Sequence, residues 1–281
     1  MTAAPAPAYR VRGPSAIGGD PRRFWNLALT LARTDWKVRF FGSVLGYVWS
    51  LLRPLMLFGI VYVIFNNVID AGRGVPYYGV MLLLGMILYF CFSEISGGAL
   101  TSMVDRESLL RKVGFPRAVV PLSVALVAAM NLLLNLVVLC VFVGVSGVSP
   151  RWTWLLLPIP FALLLVFSTG VAMLLSALYV RYRDVKPIWE VVLQALFYAT
   201  PILYPVERLA DKSPALAKLA LSNPIAALIQ EARHLLTGAP SVSEAMGSTA
   251  LLLAPAAILV GVTALGFYVF DRMAPHAAEE L

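Results

Sequence analysis

The sequence predicts an all-α integral membrane protein: six transmembrane helices, an N-terminal amphipathic interface helix, and short re-entrant helices before the last span. Three observations carry this. Of 281 residues, 60% are hydrophobic and only 13% charged, against about 25% charged in a soluble domain; one soluble globule of this size could not hide that excess. Six apolar runs reach or approach the about 20 residues that cross a bilayer. Lys and Arg crowd into alternate connections between those runs, so the net charge of +7 points to a membrane and not to nucleic acid. Cys91 and Cys140 both lie inside apolar runs, which indicates neither a disulfide framework nor a metal site.

Residues 1–43 read as a cytoplasmic segment. Its first 20 residues lack the apolar stretch of a cleaved signal peptide. From Asp20 to Phe41 the chain turns amphipathic: Phe24, Leu27, Leu31, Trp36 and Phe40 recur at helical spacing among Arg22, Arg23, Arg33, Lys37 and Arg39, with Asp20 at the N-cap and Pro21 in the first turn. Such a basic amphipathic helix lies at a membrane surface. The spans follow at about 44–65, 78–103, 119–147, 154–180, 188–205 and 249–270, making 44–271 one transmembrane domain, and 272–281 is a tail. The fifth run is the weakest, being short and ending in Pro201 and Pro205. Segment 206–248 is too polar to span, and its apolar stretches Pro214 to Leu221 and Pro224 to Leu236 fit re-entrant helices.

Fifteen of the basic residues fall in the N-terminal segment, the 104–118 and 181–187 loops and the tail, against six on the opposite side. Positive charge is retained in the cytoplasm, so both termini are expected inside a bacterial inner membrane. The chain has no G-x-x-x-x-G-K-[ST], no G-x-G-x-x-G, no H-E-x-x-H and no G-x-S-x-G, so no phosphate-cradling, metalloprotease or serine-hydrolase motif. Glu94 and Glu190 are the few acidic residues in or beside spans, a thin basis for a proton relay. Energy for transport is therefore expected from a partner.

The loop that could receive it runs from Asp105 to Arg117. Its first part can form about two helical turns, with Leu109, Leu110 and Phe115 expected to be exposed for docking, and Arg106, Arg111, Lys112 and Arg117 supplying charge; Gly114 stops the helix and Pro116 forces an extended exit. A solvated basic turn serving only orientation is the alternative. A second loop, Arg181 to Pro187, emerges on the same side.

The order of these pieces resembles the membrane subunits of ABC-2 type exporters, in the branch that exports O-antigens, teichoic acids and related lipid-linked glycans. The matching stretches are 24–40, 45–55, L-L-R-K-V-G-F-P-R-A-V-V-P-L (109–122), R-Y-R-D-V (181–185), T-P-I-L-Y-P (200–205) and S-N-P (222–224), whose order and spacing cover essentially the whole chain. The resemblance implies a half-transporter: a homodimer of this subunit with two separate ATPase subunits, which bind the ATP and Mg that this chain does not. It implies that 104–117 is the coupling helix, and that spans one and five line the channel.

In span one, Tyr47, Phe58, Tyr62 and Phe65 share a helical face, and in span five Phe197, Tyr198 and Tyr204 cluster. Rings of this kind let sugars slide; they also serve in helix packing or interfacial belts. For Arg53 in span one, two readings stand: an ion pair with Glu94, since a lone buried charge is costly, or a fork for the pyrophosphate of a lipid carrier. Arg33, Lys37 and Arg39 are further candidates for an anionic head group. The competing functions are an ABC-2 exporter of a drug or small lipid, an integral membrane glycolipid transferase and a structural scaffold.

Overall fold

The computed structural model describes residues 20–40, 46–110 and 115–274, and the described residues are helical with short connections. Helix α1 (Pro21–Phe40) begins where the Asp20 carboxylate accepts the Arg22 N–H at 2.9 Å. Helix α2 (Gly46–Val63) carries Pro54 in its interior and runs into a π-helical turn, Ile64–Val68. Helix α3 (Tyr78–Asp105) follows, then one turn of α4 (Glu107–Leu110), and then α5 (Val119–Val145). A 3₁₀ turn, Trp152–Leu156, leads into α6 (Pro158–Arg181), which has its proline at the first position, where a missing N–H is harmless.

Among the described residues four helical stretches are long and apolar enough to span: α3, α5, Trp152–Arg181 and Thr249–Met273; Pro54–Val68 is a shorter apolar helix. The fifth run forms α7 (Val185–Ala199), which starts earlier and stops sooner than expected. Thr200 turns extended ahead of Pro201, since a residue before proline is driven out of the helical region. Fifteen residues reach about 22 Å, short of the about 30 Å hydrocarbon core.

The polar segment before the last span folds into four helices: α8 (Val206–Lys212), α9 (Pro214–Leu221), α10 (Pro224–Thr237) and α11 (Val242–Met246). Their boundaries are written locally. Ser213 caps α9 by accepting the Leu216 N–H, and Asn223 caps α10 by accepting the Ile225 N–H at 3.0 Å. Gly238 closes α10 at φ 76°, a conformation glycine adopts freely. Ser241 and Glu244 form a reciprocal capping box on α11, and the Ser241 backbone N–H holds the Glu244 carboxyl below the usual range. A 3₁₀ turn then leads into α12 (Leu253–Met273).

Helix α3 is the central post, buried along most of its length against α5 and α6, while α12 packs on the outside of α6. The α6–α12 seam is built on absent side chains. A Cβ on Gly170 would lie 2.6 Å from Thr263 Cα, and one on Gly266 would overlap the Gly170 carbonyl. Close backbone approach is how helices gain contact where lipid is as apolar as their side chains.

Candidate coupling end and aromatic face

At one end of the bundle α1, α4 and the ends of α3, α5, α6 and α12 meet in a cluster containing Phe24, Met103, Leu110, Val119, Val180 and Phe270. Leu110, expected to be exposed for docking, is instead in this core, while Leu109 and Phe115 are half-buried. Leu110 takes the inward side of this single turn and joins the cluster. Arg117 and Pro116 are also buried, and the Arg117 guanidinium donates to the carbonyl of Ala274 at the end of α12, where a cation meets the negative end of a helix. Arg106 forms an ion pair with Asp35 of α1 and donates to Ser123 Oγ at 2.8 Å. Arg111 and Lys112 lie outside the described residues. The exposed charge at this end includes Arg181, Arg183, Asp184 and Lys186, with Arg183 lying 5.0 Å over the Tyr179 ring.

This burial changes what a substitution would report. Leu110→Asp places a carboxylate among Met103, Val119 and Phe270, a cost of several kcal/mol. The variant is expected to unfold at markedly lower temperature even with no ATPase present, measured on the detergent-solubilised subunit.

Helix α1 crosses α5 and is tied to the bundle by a polar chain. Trp36 Nε1 donates to Asn131 Oδ1 at 3.0 Å, Asn131 Nδ2 donates to Glu94 Oε1 at 2.8 Å, and Arg39 pairs with the same carboxylate oxygen. Glu94 thus has Arg39 and Asn131 as partners; the side chain of Arg53, its expected partner, lies outside the described residues. Arg33 and Lys37 are exposed. Asn131, which bonds Trp36 of α1, lies well inside α5. At 27 residues α5 is about 40 Å long, more than a hydrocarbon layer about 30 Å thick requires.

The aromatic stripe of α2 points largely into the chain itself. Phe58 is only 7% exposed, with its ring edge-on to Phe142 at 5.4 Å and stacked with Tyr62 at 5.7 Å. Tyr62 in turn stacks on Tyr78 at 6.3 Å, and Phe65 is half-buried. Phe58 therefore packs between helices in this chain, contrary to its expected place on a channel wall. The outward stripe of α2 is aliphatic: Leu52, Met56, Ile60 and Val63. The side chain of Tyr47 lies outside the described residues.

Helix α7 differs from every other long helix in burying none of its residues. It is held by side chains that reach its backbone and its tryptophan: Tyr89 of α3 donates to the Leu193 carbonyl, and Trp189 Nε1 donates to Ser96 Oγ at 3.2 Å. Phe197 turns inward and stacks on Phe90 at 6.2 Å with the rings nearly parallel. The outward face carries Ile188, Glu190, Val191, Gln194 and Tyr198, the last 67% exposed, and Tyr204 is half-buried just beyond, donating to the Tyr198 carbonyl at 3.3 Å. A carboxylate, an amide and a phenol on an outward face are a composition that hydrocarbon does not accommodate.

The sequence reading gave no role to Arg233, which proves the largest fully buried side chain. From α10 it donates through Nε to Met81 O at 3.1 Å, through Nη1 to Pro201 O at 2.6 Å and through Nη2 to Ile202 O at 2.8 Å. The space is made by Gly85 of α3, where a Cβ would lie 2.8 Å from Nη2. Asn131, Asp35 and Trp36 were likewise not singled out for polar pairing. Two asparagines in the apolar run 119–147, Asn131 and Asn135, were the available signal, since a polar side chain there seeks a partner.

Comparison with known proteins sets this arrangement in context. The family described as ABC-2 type transporter matches residues 26–237. The O-antigen export system permease protein RfbA of Myxococcus xanthus is 32% identical over 207 residues, 74% of this chain and 78% of that protein. RfbA of Klebsiella pneumoniae is 30% identical over 212 residues, 75% of this chain and 80% of the relative. The polysialic acid transport protein KpsM of Escherichia coli is 26% identical over 180 residues, 60% of this chain and 66% of its own length.

Proposed function

Because the chain belongs to the ABC-2 type transporter family, we propose that it is the transmembrane subunit of an exporter that moves a lipid-linked polysaccharide from the cytoplasmic to the outer side of the inner membrane. Its relatives include an O-antigen export permease and a polysialic acid transport protein, which supports a polysaccharide as cargo. Two copies act with two ATPase subunits that bind ATP and Mg, and both termini are cytoplasmic, so that the end bearing α4 and the Arg181–Asp184 loop meets the ATPases.

The observation that carries the reading is the outward face of α7. Glu190, Gln194 and Tyr198 suit neither lipid nor a dry core, but they suit a polar path closed by the same face of a second copy, with the aliphatic stripe of α2 sealing beside it. In this arrangement the path-facing ring is Tyr198, with Tyr204 and Tyr62 at its margin, while Phe58 and Phe197 support it from behind. Arg33 and Lys37, being exposed, are the candidates for contact with an anionic head group, and Arg39 is committed to Glu94.

The test is reconstitution in vesicles with its cognate ATPase subunit and a lipid-linked glycan. Export that requires both the ATPase and ATP supports the proposal, and export without them overturns it. Within that assay Tyr198→Ala is expected to slow export severalfold at an unchanged melting temperature, because the ring contacts little of its own chain. Phe58→Ala opens a cavity and should cost about 3–5 kcal/mol, lowering stability and export together. Thermal melts beside export rates separate the two; equal stability loss in both variants would remove Tyr198 from the path.

A further inference from the structure

We propose that the groove between α1, α5, α6 and α12 binds one anionic phospholipid, with an acyl chain in the groove and the phosphate against Arg22 and Arg23. The groove encloses about 630 Å³ and is lined by Phe24, Ala125, Ala129, Thr169, Met173 and Phe267 among others. Ala125 and Ala129 on α5 leave the room that larger side chains would fill. Of its two hydroxyl-bearing residues, Thr169 already donates through Oγ1 to the Leu165 carbonyl at 2.7 Å and Tyr268 lies beside Arg272, so water would find few polar partners along the apolar wall. A hydrocarbon chain from the surrounding bilayer is the occupant that this lining fits.

The rim selects the head group. Arg22 and Arg23 are exposed in the first turn of α1, directly before Phe24 and Trp25, which line the groove. Arg272, lying 5.3 Å over the Tyr268 ring, adds a third guanidinium at the end of α12. Two carboxylates oppose them: Asp271 on the rim, and Asp20, which is engaged with the Arg22 backbone N–H. The balance is positive, and a guanidinium pair suits a phosphate diester. No residue of α2 or α7 lines the groove, so the site is separate from the proposed path and independent of what the protein exports.

The full-length subunit, extracted in mild detergent and exchanged into nanodiscs of mixed phosphatidylglycerol and phosphatidylethanolamine, tests this by native mass spectrometry. One phosphatidylglycerol per chain is expected to survive release from the disc. Ala129→Phe, which fills the groove with an apolar ring, should remove it. Replacing Arg22 and Arg23 together with Ala should lower the preference for phosphatidylglycerol about tenfold; both are exposed, so this variant reports even if Ala129→Phe fails to fold. Equal retention of the two lipids by the unsubstituted chain, or an unchanged lipid count in folded Ala129→Phe, overturns the proposal.

Discussion

Gly266→Val is expected to destabilise the folded subunit by about 3 kcal/mol or more, at or above the upper end of the usual cost of overpacking. The added Cβ meets the Gly170 carbonyl, and Gly170 in turn lies under Thr263, so backbone faces backbone and no side chain can swing away. Helices α6 and α12 must separate along their seam, which loses contact over several turns. Even Gly266→Ala should be destabilising, and the sign is diagnostic. In the same helix Gly261 has nothing within 4 Å of a built Cβ, so Gly261→Ala should be neutral or stabilising by about 0.5–1 kcal/mol, as expected for alanine replacing glycine inside a helix. Thermal melts of the two alanine variants in one detergent decide the matter. Equal melting temperatures would mean that the seam is looser than described.

Arg233→Met should cost about 3–5 kcal/mol. It leaves the carbonyls of Pro201 and Ile202 buried without their guanidinium donors, and each such loss costs about 1–3 kcal/mol; the bond to Met81 O is lost as well. Arg233→Lys keeps the charge but not the planar fork, and a single ammonium cannot serve three carbonyls in that geometry, so an intermediate loss is expected. The consequence should be local before it is global. The break after α7 loses its tether to α10, and amide hydrogen exchange should accelerate through residues 200–206 and in α10 ahead of the rest of the chain. Uniform acceleration throughout would instead mark Arg233 as a general core residue. Because α7 is otherwise held by few contacts, export in the reconstituted system should fall further than stability alone accounts for.

Much of this architecture was legible in the residues alone. Long apolar runs compelled spans, because a backbone in hydrocarbon must satisfy its own hydrogen bonds. The stretches from Pro214 to Leu221 and from Pro224 to Leu236 read as short helices, and they begin behind caps at Ser213 and Asn223, since capping is a matter of a few adjacent atoms. The amphipathic pattern of 21–40 foretold α1 for the same local reason. The polar stretch 206–248 could be ruled out as a span by composition, and it folds as short helices.

What a stripe touches was decided only by the tertiary structure. In water an apolar face implies burial, but in a bilayer lipid and neighbouring helices are equally apolar. The spacing of Phe58, Tyr62 and Phe65 established that they share a face without saying which neighbour covers it, and the covering neighbour is Phe142 with Tyr78, both remote in sequence. Leu110 followed the same rule, buried in a cluster that also draws on α1, α3, α5, α6 and α12. Polar residues were harder still: Glu94 took Arg39 and Asn131, and Arg233 took three carbonyls from two other segments. A buried charge dictates that it must find partners, and only the crossing of helices dictates which ones come within 3 Å.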